Sequence, residues 1–190
     1  MPEVPRPDAY LQMARMSIDP ASGAIERDPG FQCAVRTLRQ ESRGSVMLRS
    51  SDPHAPPVIR GNFLAAEADR ALAVRMVAYA RRLLREPVLR AHLGEETFPG
   101  PRCRSPDEIV DACRRFGAPG AHFAGTCRMG EDRLAVVDPQ LRVRGVAGLR
   151  VVDGSIMPTL VSGSTNGPIM AIAWRAAELI CGLPMARRRG

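Results

Sequence analysis

Three short segments in the last third of this chain decide its fold. They read HFAGTCRMG (residues 122–130), LRVVDGSIMP (residues 149–158) and SGSTNGP (residues 162–168). The first places a histidine ahead of a glycine turn, the second is an apolar run that ends in Asp153, and the third leads into an apolar helix predicted over Ile169 to Ile180. A histidine, a carboxylate at the end of a strand and the start of a helix are each common parts of a ligand site, so the three segments together predict one.

Each feature also has a simpler interpretation. An imidazole such as that of His122 accepts a proton near neutral pH, but a single histidine is more often structural than catalytic. Asp153 follows a predicted buried strand, Leu149 to Val152, and is either a ligand contact or a turn residue. Asn166-Gly167-Pro168 opens either an ordinary packed helix or one whose free N–H groups face an anion. The residues alone leave these alternatives open.

Taken together, the segments resemble the C-terminal signature of the glucose-methanol-choline family of flavin-dependent alcohol oxidoreductases. In that family a histidine precedes G-T-C-R-M-G with two residues between, as it does here. Three earlier segments resemble the family as well: RQESRGSV (residues 39–46), PPVI (56–59) and NFL (62–64). The resemblance covers about residues 31–181, and several ordered motifs are more specific than one short pattern.

The resemblance implies a role for each candidate residue. His122 would face the substrate hydroxyl, and Ser164 stands where the family carries a second histidine or an asparagine that bonds the substrate oxygen. A serine hydroxyl can donate that bond but has a shorter reach and is no base near neutral pH. The implied cofactor is FAD, the implied substrate a small alcohol, and no metal is expected. The implied cofactor contacts are Asp153, Gly154, Thr165, Asn166 and Pro168.

The family's flavin diphosphate is held by a G-x-G-x-x-G turn, and this sequence contains none. We therefore expect residues 1–121 to be part of a substrate-binding domain, residues 122–185 to complete the active site and the FAD domain, and residues 186–190 to form a basic tail. The expected partner is an N-terminal FAD-binding polypeptide, without which apolar surface would stay exposed. The alternative is a truncated, non-catalytic remnant or an interaction module.

Composition narrows the class of protein. The net charge is +7, and all 27 basic residues other than histidine are arginine, spread along the chain except for Arg187-Arg188-Arg189. That run lacks neighbouring aromatic residues for base stacking, which argues against nucleic-acid binding. The five cysteines form no C-x-x-C pair, so reduced thiols are expected.

No apolar run reaches the roughly 18 residues of a membrane span, and the first residues do not resemble a signal peptide. A cytoplasmic location follows by default.

The predicted fold is α+β, with an antiparallel sheet backed by helices and the C-terminal strand and helix of an FAD-binding domain whose N-terminal part is absent. Besides Leu149 to Val152, strands are predicted over three stretches, and the second and third are predicted to pair across a glycine turn. Helices are predicted over two stretches and from a capping box at Ser105 to Gly117. The strands are Ala9 to Met16, Phe31 to Leu38 and Ser45 to Ser50, and the helices are Ala65 to Arg85 and Val88 to Leu93.

Overall fold

Antiparallel strand pairs and helices build this α+β chain, and the predicted class is confirmed. The computed structural model describes residues 6–182, which divide in sequence between Pro119 and Gly120 into two units. The basic tail predicted at residues 186–190 lies outside the described residues. Each unit has its own core, and each is described by itself below.

The first unit holds two strand pairs. Strand β1 (Ala9–Ala14) runs antiparallel to β2 (Gln32–Thr37), with Ala9 opposite Thr37. Strand β3 (Ser45–Met47) runs antiparallel to β4 (Val58–Arg60). The predicted pairing of the second strand with the third is therefore wrong, because the second pairs with the strand that precedes it and the third pairs with β4.

The β3–β4 pair depends on the glycine that precedes it. A Cβ atom at Gly44 would lie 2.3 Å from the carbonyl oxygen of Arg60, which is the partner of Ser45 in the register. That distance is too short for any side chain, so only glycine lets the two backbones approach here. The close approach of these two backbones therefore explains the glycine at position 44 of the RQESRGSV segment.

The three helices of this unit lie close to their predicted positions. Helix α1 spans Glu67–Leu84, α2 spans Pro87–Arg90 and α3 spans Pro106–Phe116. The capping box at the start of α3 is present: the Ser105 hydroxyl accepts a hydrogen bond from the Glu108 backbone N–H at 3.2 Å, and the Glu108 carboxylate accepts one from the Ser105 N–H at 2.8 Å. The spacing of apolar residues accounts for the agreement in α1, and the capping box accounts for it in α3.

Helix α1 packs against β2 and α3 to form the first core. Its apolar face at spacings of three and four residues is buried there, and burial of such side chains stabilises the fold by about 1.5–3 kcal/mol each. The predicted inward face of α3 is only partly right, since Ile109 is buried but Phe116 is 38% exposed and stacks edge-on against Phe98. The buried apolar residues of the two helices are Leu72, Ala73, Met76, Ala80, Ile109, Val110 and Ala112.

A buried carboxylate fixes α1 to the loop after β2. Asp69 is 3% exposed, and its two oxygens accept hydrogen bonds from the backbone N–H groups of Glu41 at 2.9 Å and Ser42 at 2.8 Å. Burial acts to raise the pKa of Asp69, but the hydrogen bonds from Ser42 and Glu41 outweigh it and hold the pKa below its usual value. This residue was not singled out in the sequence, because nothing local shows what an aspartate in a first helical turn will bind.

The second unit is organised around helix α4, Asn166–Cys181, which agrees with the predicted helix and begins three residues earlier. Its core joins Val137, Leu141, Ile156 and Ala176. The predicted buried strand over Leu149 to Val152 is wrong: Leu149 is exposed, and only Arg150 forms an isolated bridge, with Arg142. The chain then enters a short 3₁₀ helix, Gly154–Ile156.

Candidate active site

His122 is bound to the residue that precedes helix α4. Its Nδ1 atom lies 2.7 Å from Oγ1 of Thr165, which is a hydrogen-bond distance, although the two residues are 43 positions apart. Thr165 is 6% exposed, whereas His122 is partly exposed. The histidine and the start of the last helix, which are separate features of the sequence, therefore form one local structure.

The backbone after His122 is held against the 3₁₀ helix. The N–H groups of Gly125 and Cys127 donate to the Ser155 carbonyl at 3.0 and 3.1 Å, and Met129 N–H donates to the Ile156 carbonyl at 2.8 Å. Gly125 has φ 89°, a left-handed conformation that favours glycine. These bonds hold the GTCRMG segment beside the DGSIM segment.

Asp153 lies at the start of the 3₁₀ helix rather than at the end of a strand. Its carboxylate accepts a hydrogen bond from the Ser155 backbone N–H at 2.7 Å, so it serves as the cap of that helix. The side chain is exposed. Asp153 is therefore a turn residue, which is the simpler of its two interpretations. Its exposed carboxylate remains accessible to a ligand.

Gly154 brings this turn close to helix α4. It is buried, and a Cβ atom at this position would lie 3.0 Å from Cδ1 of Ile169 and 3.3 Å from Cε of Met157. A larger residue would have to displace Ile169 in the first turn of the helix. The small residue therefore allows the turn and the helix start to pack together.

The start of helix α4 has unusual capping. Thr165 is the N-cap residue but makes no side-chain cap bond, and its φ and ψ of −80° and −14° are helical rather than extended. Asn166 and Gly167 follow as the first two helical residues, and the open space beside Gly167 leaves the backbone approachable. Pro168 is third and has no N–H. The predicted entry through Asn-Gly-Pro is confirmed, while the bond between Thr165 and His122 was not predicted.

Ser164 is the candidate that the structure does not connect to His122. Its side chain is exposed, and within residues 6–182 its hydroxyl makes no hydrogen bond. Gly163 before it has φ 150°, with open space around it. The serine thus lies next to Thr165 in sequence with its hydroxyl available to a ligand.

The residues that the structure describes contain neither a candidate metal cluster nor a membrane-spanning helix. In that part of the chain, no cluster of three or more histidine, cysteine or acidic residues could hold a metal ion. In the same range, none of the helices combines the length and the apolar character that crossing a bilayer requires.

Two solved oxidoreductases have a similar fold. Pyridoxine 4-oxidase from Mesorbium loti matches with a TM-score of 0.75 and 30% identity, over 87% of this chain and 31% of that one. An FAD-dependent oxidoreductase from Chaetomium thermophilum matches with a TM-score of 0.75 and 30% identity, over 80% of this chain and 27% of that one.

The family follows from the sequence match. Residues 40–173, more than half of the chain, match the family model described as GMC oxidoreductase, so the chain belongs to that family. Among its relatives, the oxygen-dependent choline dehydrogenase of Klebsiella pneumoniae is 40% identical over 156 residues. That alignment covers 82% of this chain and 28% of the dehydrogenase, so the chain spans under a third of the length of this relative.

Proposed function

We propose that this chain provides the substrate-facing and C-terminal part of an FAD-dependent oxidoreductase that acts on a small alcohol. The observation that carries the proposal is the hydrogen bond between His122 and Thr165, which holds an imidazole beside the start of helix α4 in a chain of the GMC family. The alcohol chemistry is supported by the names of two relatives, a choline dehydrogenase and a pyridoxine 4-oxidase.

His122 is proposed as the base. With Nδ1 engaged by Thr165, Nε2 is the imidazole nitrogen left to take the hydroxyl proton of the alcohol. FAD, when bound, supplies the acceptor for the hydride that leaves the carbon bearing this hydroxyl, so the alcohol becomes a carbonyl compound. Ser164 is proposed to donate a hydrogen bond to the substrate oxygen from its exposed hydroxyl.

The residues at the start of helix α4 fit a flavin ring. Thr165 makes no side-chain cap bond, so the N–H groups of Asn166 and Gly167 donate no hydrogen bond to that side chain. Such N–H groups carry partial positive charge and favour an anionic ring edge. The absence of a side chain at Gly167 lets a flat ring approach, and Pro168 fixes the backbone beside it.

Asp153 and Gly154 are proposed to lie along the remainder of the cofactor. The exposed Asp153 carboxylate can accept hydrogen bonds from ligand hydroxyls while one oxygen caps the 3₁₀ helix. Gly154 keeps this turn packed on the helix start. The backbone of Thr165 is the part of that residue available to the cofactor, because its hydroxyl is engaged with His122.

We further propose that residues 1–121 are part of a substrate-binding domain and that residues 122–185 complete the FAD domain. Catalysis then requires an FAD-binding part of the kind that makes up the rest of the relatives' length, on the same polypeptide or on another. Exposed apolar residues on helix α4 support this, since Trp174 is 72% exposed and Met170 and Ile180 are exposed as well.

The second candidate is a remnant without catalytic function. It is favoured by the serine at position 164, where the family carries a histidine or an asparagine. It predicts that the chain folds and associates but supports no turnover.

A chimera separates the two candidates. The segment of the Klebsiella pneumoniae choline dehydrogenase that this chain matches is replaced by this chain, and flavin absorbance and the oxidation of choline and pyridoxine are measured. The proposal predicts flavin binding, turnover of an alcohol, and a loss of about 10²–10⁴-fold in His122→Gln. Flavin binding without turnover of any alcohol would support the remnant.

A further inference from the structure

We infer that Thr165 is a positioning residue that selects the tautomer of His122. Its Oγ1 atom accepts a hydrogen bond from the Nδ1–H group of the neutral imidazole, so the lone pair is on Nε2. This inference rests on the proposed function, because the free lone pair matters only if His122 takes a proton from a substrate.

The hydroxyl of Thr165 is bound to the imidazole of His122 rather than to the helix that follows it. The Oγ1 atom lies 2.7 Å from Nδ1 of His122, and the threonine is almost fully buried. A buried hydroxyl needs a partner, and the imidazole is the partner that the structure provides. The bond therefore orients the ring and gives the buried oxygen atom a partner.

The capping pattern explains why this threonine is free to bind the histidine. Ser105 shows the usual arrangement, in which an N-cap hydroxyl with an extended backbone accepts a bond from the third helical residue, Glu108. In helix α4 the third residue is Pro168, which has no N–H to donate. Thr165 also has a helical backbone conformation and makes no side-chain cap bond. The T-N-G-P sequence thus releases a hydroxyl that would ordinarily cap the helix.

The direction of the bond follows from the chemistry required. A threonine hydroxyl can donate or accept, so the distance alone permits either tautomer. If it donated to Nδ1, the ring proton would be on Nε2 and the neutral histidine could not act as a base there. If it accepts from Nδ1–H, the same bond persists when Nε2 gains a proton, and nothing has to reorient during the reaction.

The test uses the 190-residue chain with ¹⁵N-labelled histidine, without flavin or alcohol. The chain has three histidines, and His54 and His92 are exposed internal controls. At a pH where the rings are neutral, long-range ¹H–¹⁵N spectra report which nitrogen carries the proton, and His122→Gln assigns the signal. The expected result is an Nδ1–H tautomer for His122 in the native chain and in Thr165→Ser, and a shift toward Nε2–H in Thr165→Val.

An Nε2–H tautomer in the native chain, or the same tautomer in Thr165→Val as in the native chain, would overturn the inference. Circular dichroism of each variant checks that the fold is retained. If Thr165→Val unfolds, the tautomer of the native chain still decides, because an Nε2–H form there rejects the inference. In the chimera, Thr165→Val is expected to lower kcat about tenfold or more with little change in KM, because a general base contributes about 10²–10⁴-fold and only its orientation is lost.

The two proposals fail in different ways. If His122→Gln leaves turnover in the chimera unchanged, the proposed base is wrong, whereas the tautomer measurement still decides how Thr165 and His122 interact. If the tautomer does not depend on Thr165 but His122→Gln abolishes turnover, the function stands and the positioning role is rejected.

Discussion

Asp69 in helix α1 accepts a hydrogen bond from the backbone nitrogen of Ser42 at 2.8 Å, across 27 positions of sequence. Its other oxygen accepts a bond from Glu41 N–H at 2.9 Å. This carboxylate thereby anchors the RQESRGSV segment to the longest helix of the first unit. The segment that carries part of the family resemblance is held by a residue outside that segment.

Replacing Asp69 by asparagine is expected to lower the free energy of unfolding by about 1–3 kcal/mol, because an amide offers one acceptor where two N–H donors need partners. Urea denaturation measures the change. Asp28→Asn, at an exposed position, is the control and should change stability by less than about 0.5 kcal/mol. Equal stability of the two variants would contradict the anchoring role.

The same carboxylate gives a pH dependence. Because the folded pKa of Asp69 lies below its ordinary value of 3.8, its contribution is fully present above that value and is lost as the pH falls through the folded pKa. The difference in stability between the native chain and Asp69→Asn should therefore shrink as the pH is lowered below about 3.8. A difference that stays constant down to the acid unfolding transition would show that Asp69 acts in some other way.

Gly154→Ala is expected to destabilise the second unit by about 1–3 kcal/mol, because the new methyl group would lie 3.0 Å from Cδ1 of Ile169. Ile169→Val removes that Cδ1 atom and is the matched second change. The double variant should lose less stability than the sum of the two single variants, measured by thermal or urea denaturation. Simple additivity would mean that the two residues do not share this contact.

Trp174→Glu tests the exposed apolar face of helix α4. Since the side chain is exposed, the stability of the isolated chain should change by less than about 0.5 kcal/mol. In the chimera, the same change should lower the melting temperature and the amount of flavin retained, because a charge would be buried at the proposed contact with the FAD-binding part. Val88→Glu, exposed on the other unit, is the control. Unchanged flavin retention in Trp174→Glu would place that contact elsewhere.

The thiols should react with iodoacetamide at different rates. Burial raises the pKa of the Cys33 thiol, and burial together with the neighbouring Cys103 raises that of Cys113, so both carry less thiolate at a given pH. Cys181 is exposed. Mass spectrometry after short treatment at mildly alkaline pH should find Cys181 modified first, and Cys181→Ser should remove that fast phase. Modification of Cys33 at the same rate would contradict this order.

Local signals in the sequence predicted the helices. Apolar residues at spacings of three and four marked α1, a serine followed by Pro-Asp-Glu marked the start of α3, and Asn-Gly-Pro marked the entry to α4. Each signal works because a helix satisfies its backbone within a few residues. The prediction of strand pairing failed because paired strands are distant in sequence. A long loop separates β2 from its partner β1, and β3 pairs with β4, which follows Pro56-Pro57. An apolar run such as Leu149 to Val152 becomes a strand only where a neighbouring backbone can pair with it along its length.

The sequence by itself determined that this chain belongs to the GMC oxidoreductases, which stretches form its helices to within a few residues, and that His122, Asp153 and the start of helix α4 are candidates for one site. Family motifs and helix signals are written in neighbouring residues, so they can be read directly. Only the tertiary structure decided that the imidazole binds Thr165, that Asp153 caps a 3₁₀ helix, and that Ser164 remains exposed. These outcomes depend on which distant segments pack together, and that depends on the burial of the whole unit rather than on any short pattern.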